Sequence, residues 1–201
     1  RGALLANVAG AALAARLRAA LPAQLAPPAV RWFASLAQLA GLRNGYRDPA
    51  QLGCDRFAAA IGARALAPGQ DIIVANCGTA TTIDAITADG RFLGGMILPG
   101  LGMMGAALAR DTAQLPQIAP RGTTPPIFAD NTEAAIRSGC LAAQAGAIER
   151  AIAAHGAVQC IVSGGAAPAI APALRAPHRA VENIVLIGLQ VAAAVNGDEA
   201  C

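Results

Sequence analysis

The chain has 201 residues, 55% of them hydrophobic and 13% charged, room for one large domain or two small ones around a substantial core. Its formal charge of +3 rests on 15 arginines and no lysine, which excludes a Walker-type P-loop and any lysine nucleophile or Schiff base. Aromatic residues make up only 3% and no basic cluster is interleaved with them, a composition that argues against nucleic-acid binding.

In chain order, Ala3–Val8 reads as a short strand and Ala11–Leu25 as an Ala/Leu/Arg helix. Pro27-Pro28 stops that helix, and Val30–Phe33 reads as a second strand. Ser35–Gly41 is expected to be a helical turn, followed by a loop at Asn44-Gly45 and Asp48-Pro49. Pro49 suits the first position of a short helix capped by Asp48, and Gly53–Arg56 lead into a second helix, Phe57–Leu66. Pro68-Gly69 is a hinge signal that divides residues 1–68 from 69–201.

Beyond the hinge, Ile72-Ile73-Val74 is a buried β-branched run that turns at Gly78-Thr79 and returns as a second strand through Asp84. A third strand, Phe92–Ile97, ends in Pro99-Gly100, and a helix spans Met103–Arg110. After a Pro- and Thr-rich loop, Leu115–Pro126, Asp130 or Asn131 caps a long helix running to about His155. Gln159–Val162 is a strand entering Ser163-Gly164-Gly165, Val181–Leu186 is expected to be the last strand, and Gly188–Asn196 the last helix. The fold class is therefore α/β, in two domains meeting near residues 67–71.

Five widely spaced cysteines without a C-x-x-C pattern fit reduced thiols in a cytoplasmic protein better than a disulfide framework or a zinc site. His155 and His178 have no acidic neighbour at ligand spacing. The uncharged stretch Phe92–Ala109 is broken by glycines and Pro99, so it is not a membrane span, and no membrane partner is expected. Arg1 opens the chain without an initiating Met or an apolar leader, so the intact protein is expected to be longer.

Three places carry chemistry. The Gly78-Thr79 turn has small and hydroxylated residues that can cradle an anion without a lysine, although an ordinary hairpin explains it as well. Asp55-Arg56 sets a carboxylate beside a guanidinium behind Gly53, a pair suited to taking a proton from a hydroxyl near an anionic group. The same pair fits the start of an exposed helix with a surface ion pair. Ser163-Gly164-Gly165 can let a flat ring lie against the backbone, or can be a plain strand-to-helix turn.

The stretch from Asn44 to Arg56, NGYRDPAQLGCDR, resembles the N-x-Y-x-x-P-x-x-L-G-x-D-R signature of type III pantothenate kinases, a family that includes the Bvg accessory factors. Cys77–Asp84, Gly94–Gly100, Thr112–Pro116, Asn131–Gly139 and Ser163–Gly165 are similar to further motifs of that family, in its order. The resemblance implies two ribonuclease-H-like domains of the actin/hexokinase/Hsp70 superfamily, the first incomplete here. Residues 1–68 would carry the pantothenate loop, and 69–201 the phosphate and adenosine motifs. It further implies phosphoryl transfer from ATP, with Mg²⁺, to the primary hydroxyl of pantothenate, the first step of coenzyme A synthesis. On the matching positions Asp55 would be the general base, and Tyr46, Gly53, Cys54 and Arg56 would line the pantothenate site. Thr132 would reach pantothenate across a homodimer interface. Gly78 and Thr79 would hold ATP phosphates, with Gly164 and Gly165 near the adenine.

Two departures from the family pattern stand out. Its first phosphate motif, D-x-G-N-T, is missing, so these 201 residues alone are expected to be inactive. Asn76 stands where most members carry the Asp that binds a monovalent cation, K⁺ or NH₄⁺. Asparagine keeps an oxygen ligand and loses the charge, which weakens or removes that site. The alternatives to the kinase are a non-catalytic regulatory protein of the accessory-factor kind and a superfamily kinase for another small hydroxylated substrate.

Overall fold

The computed structural model describes residues 2–21, 30–118 and 124–198. A small parallel pair comes first, β1 (Ala3–Leu5) with β2 (Val30–Trp32), joined by α1 (Ala11–Ala20). Arg18 of α1 lies over the Trp32 ring at 5.3 Å, a cation–π contact that seats the helix on the pair. The Pro27-Pro28 stop and residues 119–123 of the expected Leu115–Pro126 loop lie outside the described residues.

The main sheet has seven strands in the order β3-β4-β7-β6-β5-β8-β9. Ser35–Gly41 is not a helical turn: β3 (Gln38–Leu39) and β4 (Leu42–Asn44) form an antiparallel hairpin. Ala40 and Gly41 sit at φ 50° and 72°, the two positive values a two-residue hairpin turn requires. β5 (Ile72–Cys77), β6 (Ala80–Ile86) and β7 (Arg91–Pro99) are an antiparallel meander, and β8 (Gln159–Ser163) lies parallel to β5. The expected strand at Val181–Leu186 is absent. The last strand is β9 (Arg179–Ala180), and α6 (Ile184–Asp198) begins where the apolar run Ile184-Val185-Leu186-Ile187 was read as extended. A short fully apolar run has no periodicity to separate a buried helix from a buried strand.

Helices cover both faces of this mixed α/β sheet. On one face α2 (Cys54–Leu66) and α6 pack over Ile72, Val74, Ile86, Phe92 and Ile161. On the other, α3 (Leu101–Asp111), α4 (Thr132–His155) and α5 (Ala167–Ile170) cover Ile73, Ala75, Cys77, Ile83, Cys160 and Val162. The alternation along β5 and β8 therefore fixes which side chains can meet across each face. α4 starts as the sequence indicates, with Asn131 Oδ1 accepting from the Ala134 N–H at 2.9 Å, and ends at Gly156 in the left-handed region. α2 starts three residues earlier than expected, at Cys54, behind the short 3₁₀ turn Pro49–Gln51 capped by Asp48.

Candidate active site

β-strand register assembles one side of the site. Asn76 pairs with Thr82 on β6 and with Ser163 on β8, so all three face the α2 side of the sheet. Asp84, two residues along β6 from Thr82, shares that face and meets the first turn of α2. Ser163 is buried, its Oγ accepting from the Ile184 N–H at 3.3 Å, and Asn76 is half-buried beside it.

Arg56 reaches down from α2 to Asp84. Its Nε donates to Asp84 Oδ1 at 3.1 Å, its Nη2 donates to the same oxygen at 2.5 Å, and its Nη1 donates to the Tyr46 hydroxyl at 2.8 Å. The guanidinium also lies against the Tyr46 and Phe92 rings, at 5.6 and 5.8 Å. Both partners are buried, Arg56 at 5% exposure and Asp84 at 1%. Burial pushes the Asp84 carboxyl up while Arg56 pulls it back down, and Asp84 and Tyr46 raise the guanidinium above its ordinary value despite its burial. Gly95 on β7 makes the pair possible: a Cβ there would stand 2.1 Å from Asp84 Oδ1 and 2.8 Å from Arg56 Nη2.

Asp55 stays outside this pair. It is half-buried in the first turn of α2, and its Oδ1 accepts from the Arg56 backbone N–H at 2.8 Å. Gly53 supplies the N-cap, where a Cβ would come within 2.7 Å of that oxygen. Cys54 is half-buried, its Sγ 3.8 Å from the Asn7 carbonyl at the end of β1; desolvation leads the influences that raise its thiol. Asn44 organises the loop ahead of the helix: its Nδ2 donates to the Leu36 and Pro49 carbonyls, and its Oδ1 accepts from the Tyr46 N–H. Tyr46, Gly53, Cys54, Asp55 and Arg56 are thereby brought together.

A second group gathers at the Gly78 end of the sheet. The turn Gly78-Thr79 is exposed, and the Gly78 N–H is spent on the Ala80 carbonyl at 3.0 Å. Gly100 closes the turn by donating its N–H to the Thr79 carbonyl at 2.9 Å. Gly164 packs against Cys77: it sits at φ +93°, and a Cβ would lie 2.4 Å from the Cys77 carbonyl oxygen, which also accepts from the Ala166 N–H. Gly164 and Gly165 therefore adjoin the Gly78-Thr79 turn. A cavity of about 690 Å³ opens beside them, lined in part by Asn76, Ser163, Gly164, Gly165, Asn183 and Leu186. Its size and mostly apolar wall suit a purine nucleoside. The Cys77 thiol, pushed up to about 11 by burial, is no nucleophile at neutral pH.

Thr132 stands apart. It is exposed at the first position of α4, the helix on the opposite face of the sheet from Asp55. Among the described residues no three His, Cys, Asp or Glu side chains are grouped to hold a metal ion, and no helix is long and apolar enough to cross a membrane. Sequence reasoning missed Asp84, Asn44 and Gly95. Asp84 ended and Asn44 opened motifs already quoted, and Gly95 lay inside a third, but nothing in spacing joins Arg56 to a carboxylate 28 positions away.

A family model described as type III pantothenate kinase matches residues 1–154. The chain is 56% identical over 196 residues to a protein of Herminiimonas arsenicoxydans named type III pantothenate kinase, covering 94% of this chain and 76% of that protein. It is 57% identical over 198 residues to a protein of the same name from Janthinobacterium sp. (strain Marseille), with the same coverages. Among solved structures, a Campylobacter jejuni protein described as a Baf family transcriptional activator superposes with a TM-score of 0.64. That match has 20% identity and covers 98% of this chain and 84% of that one; it bears on the fold alone.

Proposed function

The chain belongs to the type III pantothenate kinase family and phosphorylates pantothenate for coenzyme A synthesis, and from that premise we propose how its residues divide the work. Asp55 takes the proton from the primary hydroxyl of pantothenate as the hydroxyl oxygen attacks the γ-phosphorus of ATP and the bond to the bridging oxygen breaks, releasing ADP. The observation that carries this is the position of Asp55: a half-buried carboxylate on the first turn of α2, outside the Arg56–Asp84 ion pair. Tyr46, Gly53, Cys54 and Arg56 surround the pantothenate. The Tyr46 oxygen already accepts from Arg56, so its own proton points outward as a donor to the substrate.

ATP lies with its base in the cavity beside Gly164 and Gly165 and its phosphates toward Gly78 and Thr79. A kinase of this family uses ATP with a divalent metal; we assign Mg²⁺. The sparse carboxylates of the described residues fit Mg²⁺ held chiefly by phosphates and water, where it supplies charge neutralisation. Asn76 offers one amide oxygen to a monovalent cation, K⁺ or NH₄⁺, a weak site at best. Positioning and electrostatics account for most of phosphoryl transfer, and a lysine-free turn is compatible with both.

The superfamily architecture of two ribonuclease-H-like domains is supported by the antiparallel β5-β6-β7 meander continued by parallel β8 as one unit and by the separate β1-β2 pair as part of another; β4 pairs with β7 and α2 shares the core of α6, so residues 38–66 pack with 69–198 and a division at 68/69 does not follow the sheet. A homodimer is supported by the exposed Ile127 and Phe128, 67% and 91% exposed, just ahead of Thr132. In it Thr132 would complete the pantothenate site of the other copy. A cytoplasmic location is supported by four free thiols among the described residues. The test is Asp55→Asn in an ATP-dependent pantothenate phosphorylation assay. A loss of about 10²-fold or more in kcat is expected for a general base; turnover near that of the unaltered enzyme overturns the assignment.

A further inference from the structure

The environment of Arg56 has a consequence for the residue beside it. An aspartate and an arginine adjacent on a helix can close an ion pair with each other, and this chain shows it. In the last turn of α3, Arg110 Nε and Nη2 donate to the Asp111 carboxylate at 2.9 and 2.7 Å. Asp55 and Arg56 are also neighbours on a helix, yet their side chains do not pair. The difference lies 28 positions downstream, in Asp84.

We infer that Asp84 is a positioning residue for the kinase reaction: by engaging the Arg56 guanidinium, it keeps that cation off Asp55 and leaves the Asp55 carboxylate free to take the substrate proton. This rests on the assignment of Asp55 as base. Four features bear on it. The Arg56 contact to Asp84 uses Nε and Nη2 together, so the guanidinium plane is fixed as well as its distance. Tyr46 takes Nη1 from the other side. Gly95 leaves no side chain to wedge the pair apart. Finally, a guanidinium this deeply buried needs a carboxylate, and among the described residues Asp55 is the other one beside it. Removing Asp84 therefore redirects Arg56 rather than freeing it. The charged and titratable groups around the Asp55 carboxylate are Arg56 and Cys54 on its own helix and Asp84 on β6, with Tyr46, on the loop after β4, bonded to Arg56; the stretch after β1 contributes the Asn7 carbonyl to Cys54.

The experiment is the pH profile of kcat for Asp84→Asn, an isosteric change. Arg56 turning onto Asp55 stabilises its ionised form, so the acid limb should move to lower pH by about one unit. Plateau kcat should fall because a paired carboxylate is a weaker base, while the KM for ATP holds. The double variant Arg56→Met/Asp84→Asn has no guanidinium to redirect, and its limb should return to the original position. An unmoved limb in folded Asp84→Asn, or a limb that stays displaced in the double variant, overturns the inference. If Asp84→Asn does not fold, Gly95→Ala forces the pair apart with both charges kept, and the same displacement is required of it. Asp55→Asn separates the two levels. Full activity there removes the base assignment itself, whereas inactivity there with an unmoved Asp84→Asn limb removes only the role given to Asp84.

Discussion

Gly188 of α6 lies so close to Ala58 of α2 that a Cβ on Gly188 would stand 1.7 Å from the Ala58 carbonyl oxygen. Gly62, one turn along α2, meets the Ile184 carbonyl and Gly188 in the same way. The two helices therefore touch backbone to backbone, and α6 carries Ile184–Leu186 of the cavity proposed for the nucleotide at its start while α2 carries Asp55 at its own. Gly188→Ala must push the helices apart. We expect a loss of stability of roughly 1–3 kcal/mol or more, the range for overpacked interiors, read from urea denaturation, together with a raised KM for ATP. Unchanged stability would show that the helices can separate freely.

Gly164 combines a left-handed backbone with a tight approach to Cys77. Gly164→Ala incurs about 1–2 kcal/mol for the left-handed conformation alone, and its methyl group meets the Cys77 carbonyl that anchors the start of the Gly78-Thr79 turn. The expected result is a higher KM for ATP and a lower Tm, with the KM for pantothenate little changed. An equal rise in both KM values would place the effect elsewhere than at the nucleotide turn.

Local signals were legible in the sequence where one residue type suffices for one geometry. Asp48 ahead of Pro49 and Asn131 ahead of Thr132 both cap as their side chains predict. The β5-β6 hairpin follows from its β-branched runs, and the Asn44–Arg56 motif was read as a unit. What failed had a competing physical reason. The β3-β4 turn places a non-glycine residue, Ala40, at positive φ, which sequence rules discount. Ile184–Ile187 is apolar on every side because one flank packs on α2 and the sheet, a pattern helix and strand share. Gly78, read as the conformationally special residue of its turn, does not occupy the left-handed region; the tight approaches are made by Gly100 and Gly164 to the residues around it. The Arg56–Asp84 pair is a through-space fact created by strand order, and no single-sequence pattern encodes it.

Phe128 is 91% exposed and Ile127 67%, four and five positions before Thr132. Water-exposed side chains of that size next to each other mark a surface for association. In the proposed homodimer, with Thr132 reaching the other copy's site, Phe128→Asp should shift the protein toward monomer in sedimentation velocity and raise the KM for pantothenate more than that for ATP. A variant that stays dimeric with normal kinetics would move the interface to another face.

Asn76 bears on the cation requirement. It lies in register with Thr82 and Ser163 on the sheet face where Asn76 and Ser163 line the cavity proposed for the nucleotide, and the Thr82 hydroxyl beside it has no partner among the described residues. Two neutral oxygens attract a monovalent cation weakly, and an aspartate at the same position would add the missing charge. Turnover by the native protein is therefore expected to change little when K⁺ or NH₄⁺ replaces Na⁺ at constant ionic strength. Asn76→Asp should introduce a saturable activation by K⁺. Strong K⁺ activation of the native protein would mean that backbone carbonyls or phosphate oxygens complete the site without a charged side chain.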